Sequence, residues 1–224
     1  MANLDWPYAA QALWEIYDAG GPRPEYLIPI LARESSLQPN ASNGAYHGLN
    51  QVGTDYLASR GISVDDYLKW PASSQLRRIV KPFLMIHAAQ FGPMRSGIRT
   101  YQMNYLPATV RDGMTDLDDV LVTNKSPLYN GGLDWNHDGK ITVGDLAFVV
   151  HDLLVNTTTT KLGPIVQDAI ARTYEVRPEE RIHDPVYGED YPQPYLVGSY
   201  ADQALSIAEM LAKGLSRLFR KKAP

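Results

Sequence analysis

The chain has 224 residues, 44% of them hydrophobic, which is enough for the core of one domain with an appendage but not for two full domains. It contains no Cys, which excludes disulfides, thiolate metal sites and a Cys nucleophile. The formal net charge of -4 gives no electrostatic footprint for nucleic acid, so no nucleic-acid partner is expected.

The first residues predict no export signal, because they lack the basic and apolar regions of a signal peptide. No later stretch is apolar for long enough to span a bilayer. Residues 7–18 then predict a helix with Leu13, Ile16 and Tyr17 on one side.

A second helix is expected to begin at Pro24 or Pro29. Apolar residues recur at helical spacing up to Leu31, so that Glu34 ends the apolar stripe. A carboxylate in that position loses hydration, which raises its pKa toward the range in which a carboxylic acid donates a proton at neutral pH. The alternative is an ordinary Glu at a helix C-terminus that pairs with a nearby Arg.

Short motifs follow this helix in the order Glu34-Ser35, Pro39-Asn40-Ala41 and Gly48-Leu49-Asn50-Gln51. They resemble the lysozyme-like domain of soluble lytic transglycosylases and goose-type lysozymes, which has Glu-Ser, an Asn-Pro-x-Ala-like stretch and Gly-Leu-Met-Gln in that order. The resemblance implies a mainly α, lysozyme-like fold in which Glu34 is the catalytic acid. It also implies that Ser35, Gly48 and Gln51 contact the substrate. Asn50 stands where the family has Met.

The next part of the chain predicts a short helix with Tyr56 and a polar helix or turn at 65–71. A longer helix is expected from Ser73, with an interruption at Pro82. His47, beside the second motif, is interpreted as a local hydrogen-bonding residue without a catalytic role.

Residues 97–106 predict a helix whose stripe includes Tyr105, and residues 100–108 resemble a stretch of phage-encoded members of this superfamily. Aromatic faces bind sugars, so Tyr105 is a candidate for substrate binding, although a tyrosine stripe also suits a core. Residues 128–132 are an imperfect match to the family's Ala-Tyr-Asn-Ala-Gly, which implies that Tyr129 braces the acid and lines the cleft. The alternative is an ordinary Asn-Gly-Gly loop.

Residues 134–145 fit the template of an EF-hand calcium loop, with Gly139 at the sharp turn. The alternative is a capping box that opens the helix Val143–Val155. A box explains only Thr142 and Asp145, so a structural Ca²⁺ is expected. The candidate ligands are Asp134, Asn136, Asp138, Lys140 through its carbonyl, Thr142 and Asp145.

The C-terminal part is predicted to form an arm over residues 161–224, outside a catalytic domain of residues 1–160. It contains a helix at 164–174, a Pro-rich and Tyr-rich stretch at 175–195, and a basic amphipathic helix at 201–222. This terminal helix is expected to dock onto a protein, such as a phage virion or tail protein. The less favoured alternative is that it lies on a membrane.

The resemblance implies cleavage of peptidoglycan glycan strands between N-acetylmuramic acid (MurNAc) and N-acetylglucosamine (GlcNAc), as a lytic transglycosylase that forms 1,6-anhydroMurNAc. A wall-degrading enzyme without a signal peptide is expected to be a bacteriophage protein, carried by the virion or released from the host cytoplasm at lysis, that acts in the cell wall or periplasm. One alternative is a hydrolysing lysozyme (muramidase), for which Asp55 is the first candidate base. The other is a catalytically inactive structural virion protein with a lysozyme-like fold.

Overall fold

The computed structural model describes residues 4–111, 113–155 and 161–180, and within them the chain is mainly helical. None of the helices in these ranges is long and apolar enough to cross a membrane. The helices are α1 Tyr8–Asp18, α2 Pro24–Ser35, α3 Thr54–Ala58, α4 Val64–Tyr67, α5 Ala72–Gln75, α6 Lys81–Phe91, α7 Gly97–Tyr105, α8 Pro107–Arg111, α9 Val143–Val155 and α10 Gly163–Val176. The strands are β1 Tyr46–His47, β2 Val52–Gly53, β3 Val120–Thr123 and β4 Lys140–Thr142.

Helix α2 is the centre of the packing, since α1, α7, α9 and α10 all contact it. It begins at Pro24, whose fixed φ and missing N–H suit the first turn of a helix. Pro29 lies inside the helix, where every residue from Pro24 to Ala32 is buried. The helix ends where Ser36 adopts a left-handed conformation with φ 55°. Because the continuous run of buried residues stops at Ala32 and Arg33 is exposed, Glu34 lies where the core meets the surface.

The helix expected to be interrupted at Pro82 continues to Phe91. A π-helical turn at Leu76–Val80 joins α5 to α6, so that Pro82 falls in the first turn of α6. Proline lacks the N–H that an interior position would use, and a wider π turn before it accommodates that loss. The expectation of a break at Pro82 is therefore wrong.

The four strands form two short antiparallel ribbons, β1 with β2 and β3 with β4. In the first, Tyr46 pairs with Gly53 and His47 with Val52, so the intervening residues form its turn. The His47 ring lies 3.0 Å from both the Ser42 and Thr54 hydroxyls, which agrees with a local hydrogen-bonding role. In the second ribbon, β3 pairs with β4, a strand that lies inside the 134–145 loop.

Helix α10 belongs to the same core as the preceding helices. It contacts α1, α2 and α9, and its residues Val166, Ala169 and Thr173 are fully or almost fully buried. The buried indole of Trp14 donates to the Thr173 carbonyl oxygen at 2.9 Å. The core thus continues past the boundary predicted at residue 160. The predicted arm beyond residue 180, with its terminal helix at 201–222, lies outside the described residues.

Candidate functional site

Glu34 lies in the last turn of α2 with a half-buried side chain. Burial raises the pKa of its carboxyl above the ordinary value, and the positive charge of Arg33 opposes part of that rise. The carboxyl therefore keeps its proton to a higher pH than a solvated Glu does. This is the property that a general acid requires.

Two tyrosines of α7 lie near this carboxyl, one helical turn apart. Burial is the main cause that raises the pKa of both Tyr101 and Tyr105, and the negative charge of Glu34 raises each further. The predicted site residue Tyr105 is thus brought close to the acid. Tyr101, which is buried, was not among the predicted site residues, although its helical spacing from Tyr105 could have revealed it.

The segment 128–132 is hydrogen-bonded to two residues near Glu34, Arg33 and Tyr105. Arg33 donates a hydrogen bond from Nη2 to the Gly132 carbonyl oxygen at 2.7 Å. The Tyr105 hydroxyl donates to the Leu128 carbonyl oxygen. The third predicted motif therefore lies beside the end of α2 that carries Glu34.

Tyr129 has a different partner from the one the sequence suggested. Its hydroxyl donates to the carboxylate of Asp134, the first residue of the 134–145 loop. This hydrogen bond, together with desolvation, raises the pKa of Tyr129 to about 12. Tyr129 therefore connects the segment near Glu34 to the candidate metal loop, and its contact with substrate stays a prediction.

The turn that carries the motif Gly48-Leu49-Asn50-Gln51 is hydrogen-bonded to the side chain of Gln75, which is fully buried. The Gln75 side chain accepts from the Leu49 amide at 3.0 Å and donates to the Pro39 carbonyl oxygen at 2.7 Å. Leu31 of α2 and Leu49 line one small apolar cavity, so the turn lies against α2. Gln75 thereby joins the stretch that follows Glu34 to the turn. In the sequence, Gln75 is a single Gln within an apolar stripe, and nothing there predicts this role.

The side chains of Ser35 and Gln51 both donate to main-chain carbonyl oxygens a few residues earlier in the chain. The Ser35 hydroxyl donates to the Leu31 carbonyl oxygen at 2.8 Å and is almost fully buried. The Gln51 amide nitrogen donates to the Gly48 carbonyl oxygen at 2.9 Å. Both residues shape the site, and their contact with substrate stays a prediction.

Gly48→Ala is expected to destabilise the fold by about 2 kcal/mol or more, because a left-handed backbone and a collision add together. Gly48 has φ 72°, and a Cβ there would lie 2.5 Å from side-chain atoms of both Gln75 and Tyr67. Gly44→Ala is the matched control, since Gly44 has φ 93° and open space around it. Chemical denaturation of both variants measures the difference. Equal losses of stability would show that the Gln75 contact does not constrain the turn.

In the 134–145 loop, side-chain oxygens accept hydrogen bonds from the backbone of the turn. Asp134 accepts from the amides of Asp138 at 3.2 Å and Gly139 at 2.9 Å. Asn136 accepts from Asp138 at 2.9 Å, and Asp138 accepts from Lys140 at 2.9 Å. Gly139 has φ 85°, as the sharp turn requires. The loop is thus folded around its own side-chain oxygens.

The capping box at the start of α9 is also formed. Asp145 accepts from the Thr142 amide at 2.8 Å and hydroxyl at 2.7 Å, and the Asp145 amide donates back to that hydroxyl at 3.1 Å. Burial raises the pKa of Asp145 despite these bonds. The sequence left a capping box and a metal site as alternatives. The hydrogen bonds of the capping box are present, and they involve only Thr142 and Asp145 and not the oxygens of the other candidate ligands.

The chemistry of the loop fits a calcium ion, since every candidate ligand is an oxygen. Within the described ranges, no three His, Cys, Asp or Glu side chains form a group that could hold a metal alone. A calcium loop does not need such a group, because it also takes ligands from amide side chains, a main-chain carbonyl and water. The residues that would hold the ion are Asp134, Asn136, Asp138, Lys140 through its carbonyl, Thr142 and Asp145.

Comparison with known proteins gives no further information about the site. No protein-family model, no curated protein and no solved structure matches the chain. The residues around Glu34 and the 134–145 loop therefore carry the functional inference by themselves.

Proposed function

We propose that the protein cleaves the glycan strands of peptidoglycan as a lytic transglycosylase, with Glu34 as its acid and base. The observation that carries this proposal is the half-buried carboxyl of Glu34, whose pKa burial raises, beside Tyr101 and Tyr105. The motif that contains Glu34 and the motifs that follow it support a lysozyme-like domain. The segment that Arg33 and Tyr105 hold is the one that resembles the third motif of that family.

In this mechanism, protonated Glu34 donates its proton to the glycosidic oxygen between MurNAc and GlcNAc as the bond to the MurNAc anomeric carbon breaks. The 6-hydroxyl of the same MurNAc then attacks that carbon, and the Glu34 carboxylate accepts the hydroxyl proton. The product ends in 1,6-anhydroMurNAc, and Glu34 returns to its protonated state. One carboxyl suffices, because it acts first as acid and then as base.

Residues 134–145 are proposed to hold a structural Ca²⁺, which when bound supplies positive charge to a carboxylate-rich loop. Asp134 and Asp145 are both almost fully buried, at 2% and 5% exposure, so such a charge offsets their desolvation. The EF-hand-like loop would then fix the ribbon of β3 and β4 against α9. Through Tyr129, it would also steady the segment near Glu34.

A phage origin and attachment to a virion or tail are further parts of the proposal. They rest on the resemblance of residues 100–108 to phage-encoded members of the superfamily. Residues 181–224 would supply the attachment to virion proteins, since the site residues all precede them.

The chemical form of the products is expected to separate transglycosylation from hydrolysis. Asp55, the candidate base for hydrolysis, is exposed in the first turn of α3. We therefore expect fragments that end in 1,6-anhydroMurNAc and are lighter than the hydrolysed fragments by one water. Mass spectrometry of the fragments released from purified peptidoglycan measures this. Reducing ends alone would show that water is the acceptor, and Asp55→Asn would then be the first variant to test.

A further inference from the structure

Both ends of the segment 128–132 are held by side chains that flank Glu34. Arg33 precedes the acid in α2 and reaches the Gly132 carbonyl oxygen at 2.7 Å. Tyr105 projects from α7 to the Leu128 carbonyl oxygen. Since both acceptors are main-chain atoms, these bonds fix the path of the segment rather than any one of its side chains.

Arg33 takes no part in the hydrophobic core, and its side chain is exposed. Its guanidinium nevertheless lies close against the segment, because a Cβ added at Gly132 would be 3.3 Å from Arg33 Nη2. The Arg33 guanidinium also lies near Tyr101 of α7, because it lowers the pKa of that tyrosine in part. One exposed guanidinium therefore connects the end of α2 to the segment 128–132.

We propose that Arg33 is a positioning residue, which together with Tyr105 fastens the segment 128–132 beside Glu34 and so preforms one wall of the substrate cleft. This inference rests on the proposed function. A wall fixed before the substrate arrives removes the cost of ordering it during binding. Displacement of such a wall by about 1 Å lowers a rate by as much as about 10²-fold.

The charge of Arg33 adds a second effect that a purely structural residue would not have. The groups found to act on Glu34 or to be affected by it are Arg33 on α2 and Tyr101 and Tyr105 on α7. Arg33 is the cation among them, and it lowers the pKa of Glu34. Removal of the guanidinium therefore lets that pKa rise further, so the protonated acid persists to higher pH.

The first test uses hydrogen exchange, which does not depend on enzymatic activity. In Arg33→Met and Tyr105→Phe, the amides of residues 128–133 are expected to exchange at least about 10-fold faster than in the wild type. Amides of α1 and α10 should keep their rates, which shows that the fold is intact. Arg60→Met is the matched control, because Arg60 is an exposed arginine that stacks on Tyr56 at 4.6 Å. Unchanged exchange at 128–133 in both variants would overturn the proposal.

The second test is kinetic, on purified glycan strands. Arg33→Met is expected to raise KM by at least about 10-fold and to move the alkaline limb of the pH profile to higher pH. Arg33→Lys keeps the charge and should hold the limb near its wild-type position. If the alkaline limb of the pH profile does not move in Arg33→Met and KM is also unchanged, the positioning role is contradicted. If exchange increases as expected but even the wild type cleaves no glycan, the fastening is supported and the proposed function is wrong.

Discussion

Glu34→Gln is expected to lower the rate of glycan cleavage by about 10²–10⁴-fold, the usual contribution of a general acid. The amide keeps the volume of the side chain and removes the proton that the leaving oxygen receives. The measurement is the initial rate of fragment release from purified glycan strands. In the wild type, activity should fall as pH rises through the elevated pKa of Glu34, because the ionised carboxyl has no proton to donate.

The stability of this variant separates a catalytic loss from a folding loss. The folded-state pKa of Glu34 lies above its unfolded value, so the native state binds more protons and loses stability as pH rises through that pKa. Gln cannot ionise, so the variant should be at least as stable as the wild type at neutral pH. Glu175→Gln, at an exposed position of α10, is the control and should retain full activity. If Glu34→Gln cleaves glycan strands at the wild-type rate, Glu34 is not the catalytic acid.

Calcium is expected to raise the melting temperature by about 5–10 °C at a concentration of about 100 times its Kd. Binding to the folded state alone contributes about 2.7 kcal/mol under that condition, and about 1 kcal/mol shifts the midpoint of a chain of this size by about 2–4 °C. Melting curves recorded with chelator and with excess calcium measure the effect.

Two loop variants and one control sharpen this test. Asp138 is exposed, and its side chain bonds the Lys140 amide, so Asp138→Ala should remove the calcium effect with little change in the metal-free melting temperature. Asp134→Ala should also lower the metal-free value, because that buried carboxylate holds Tyr129 and Gly139. Asp118→Ala changes an exposed carboxylate outside the loop and should leave the effect intact. Identical wild-type curves with chelator and with calcium would contradict the metal assignment.

Helices with a continuous apolar pattern were predicted well from the sequence. The helix Val143–Val155 has the expected bounds, and α2 ends at Ser35, one residue after the expected acid. The position of Glu34 at the edge of the core followed from the same periodicity, because burial along a helix repeats with its turns. Its raised pKa is a direct consequence of that position.

Long-range packing could not be predicted in this way. The periodicity of α10 gives a helix but does not say what its apolar face meets, so the boundary at residue 160 divided the core. Strand β3 was not predicted, because its short sequence becomes a strand only when β4 lies beside it. In both cases the partner is distant in the chain and has no local signature.

The polar contacts around the site also could not be predicted from the sequence. Gln75 and Arg33 act through main-chain oxygens of Pro39 and Gly132, and a carbonyl is present at every residue. No side-chain motif marks such an acceptor. The motif match suggested that Tyr129 faces the acid, whereas its hydroxyl donates to the carboxylate of Asp134.

Digestion of purified peptidoglycan sacculi by the wild-type protein tests the central claim most directly. If Glu34 is the acid of a lytic transglycosylase, the suspension should clear, and the soluble fragments should carry 1,6-anhydroMurNAc ends. If the folded protein, with calcium present and across the pH range in which Glu34 is protonated, releases no soluble fragment, the claim that it cleaves glycan strands is contradicted.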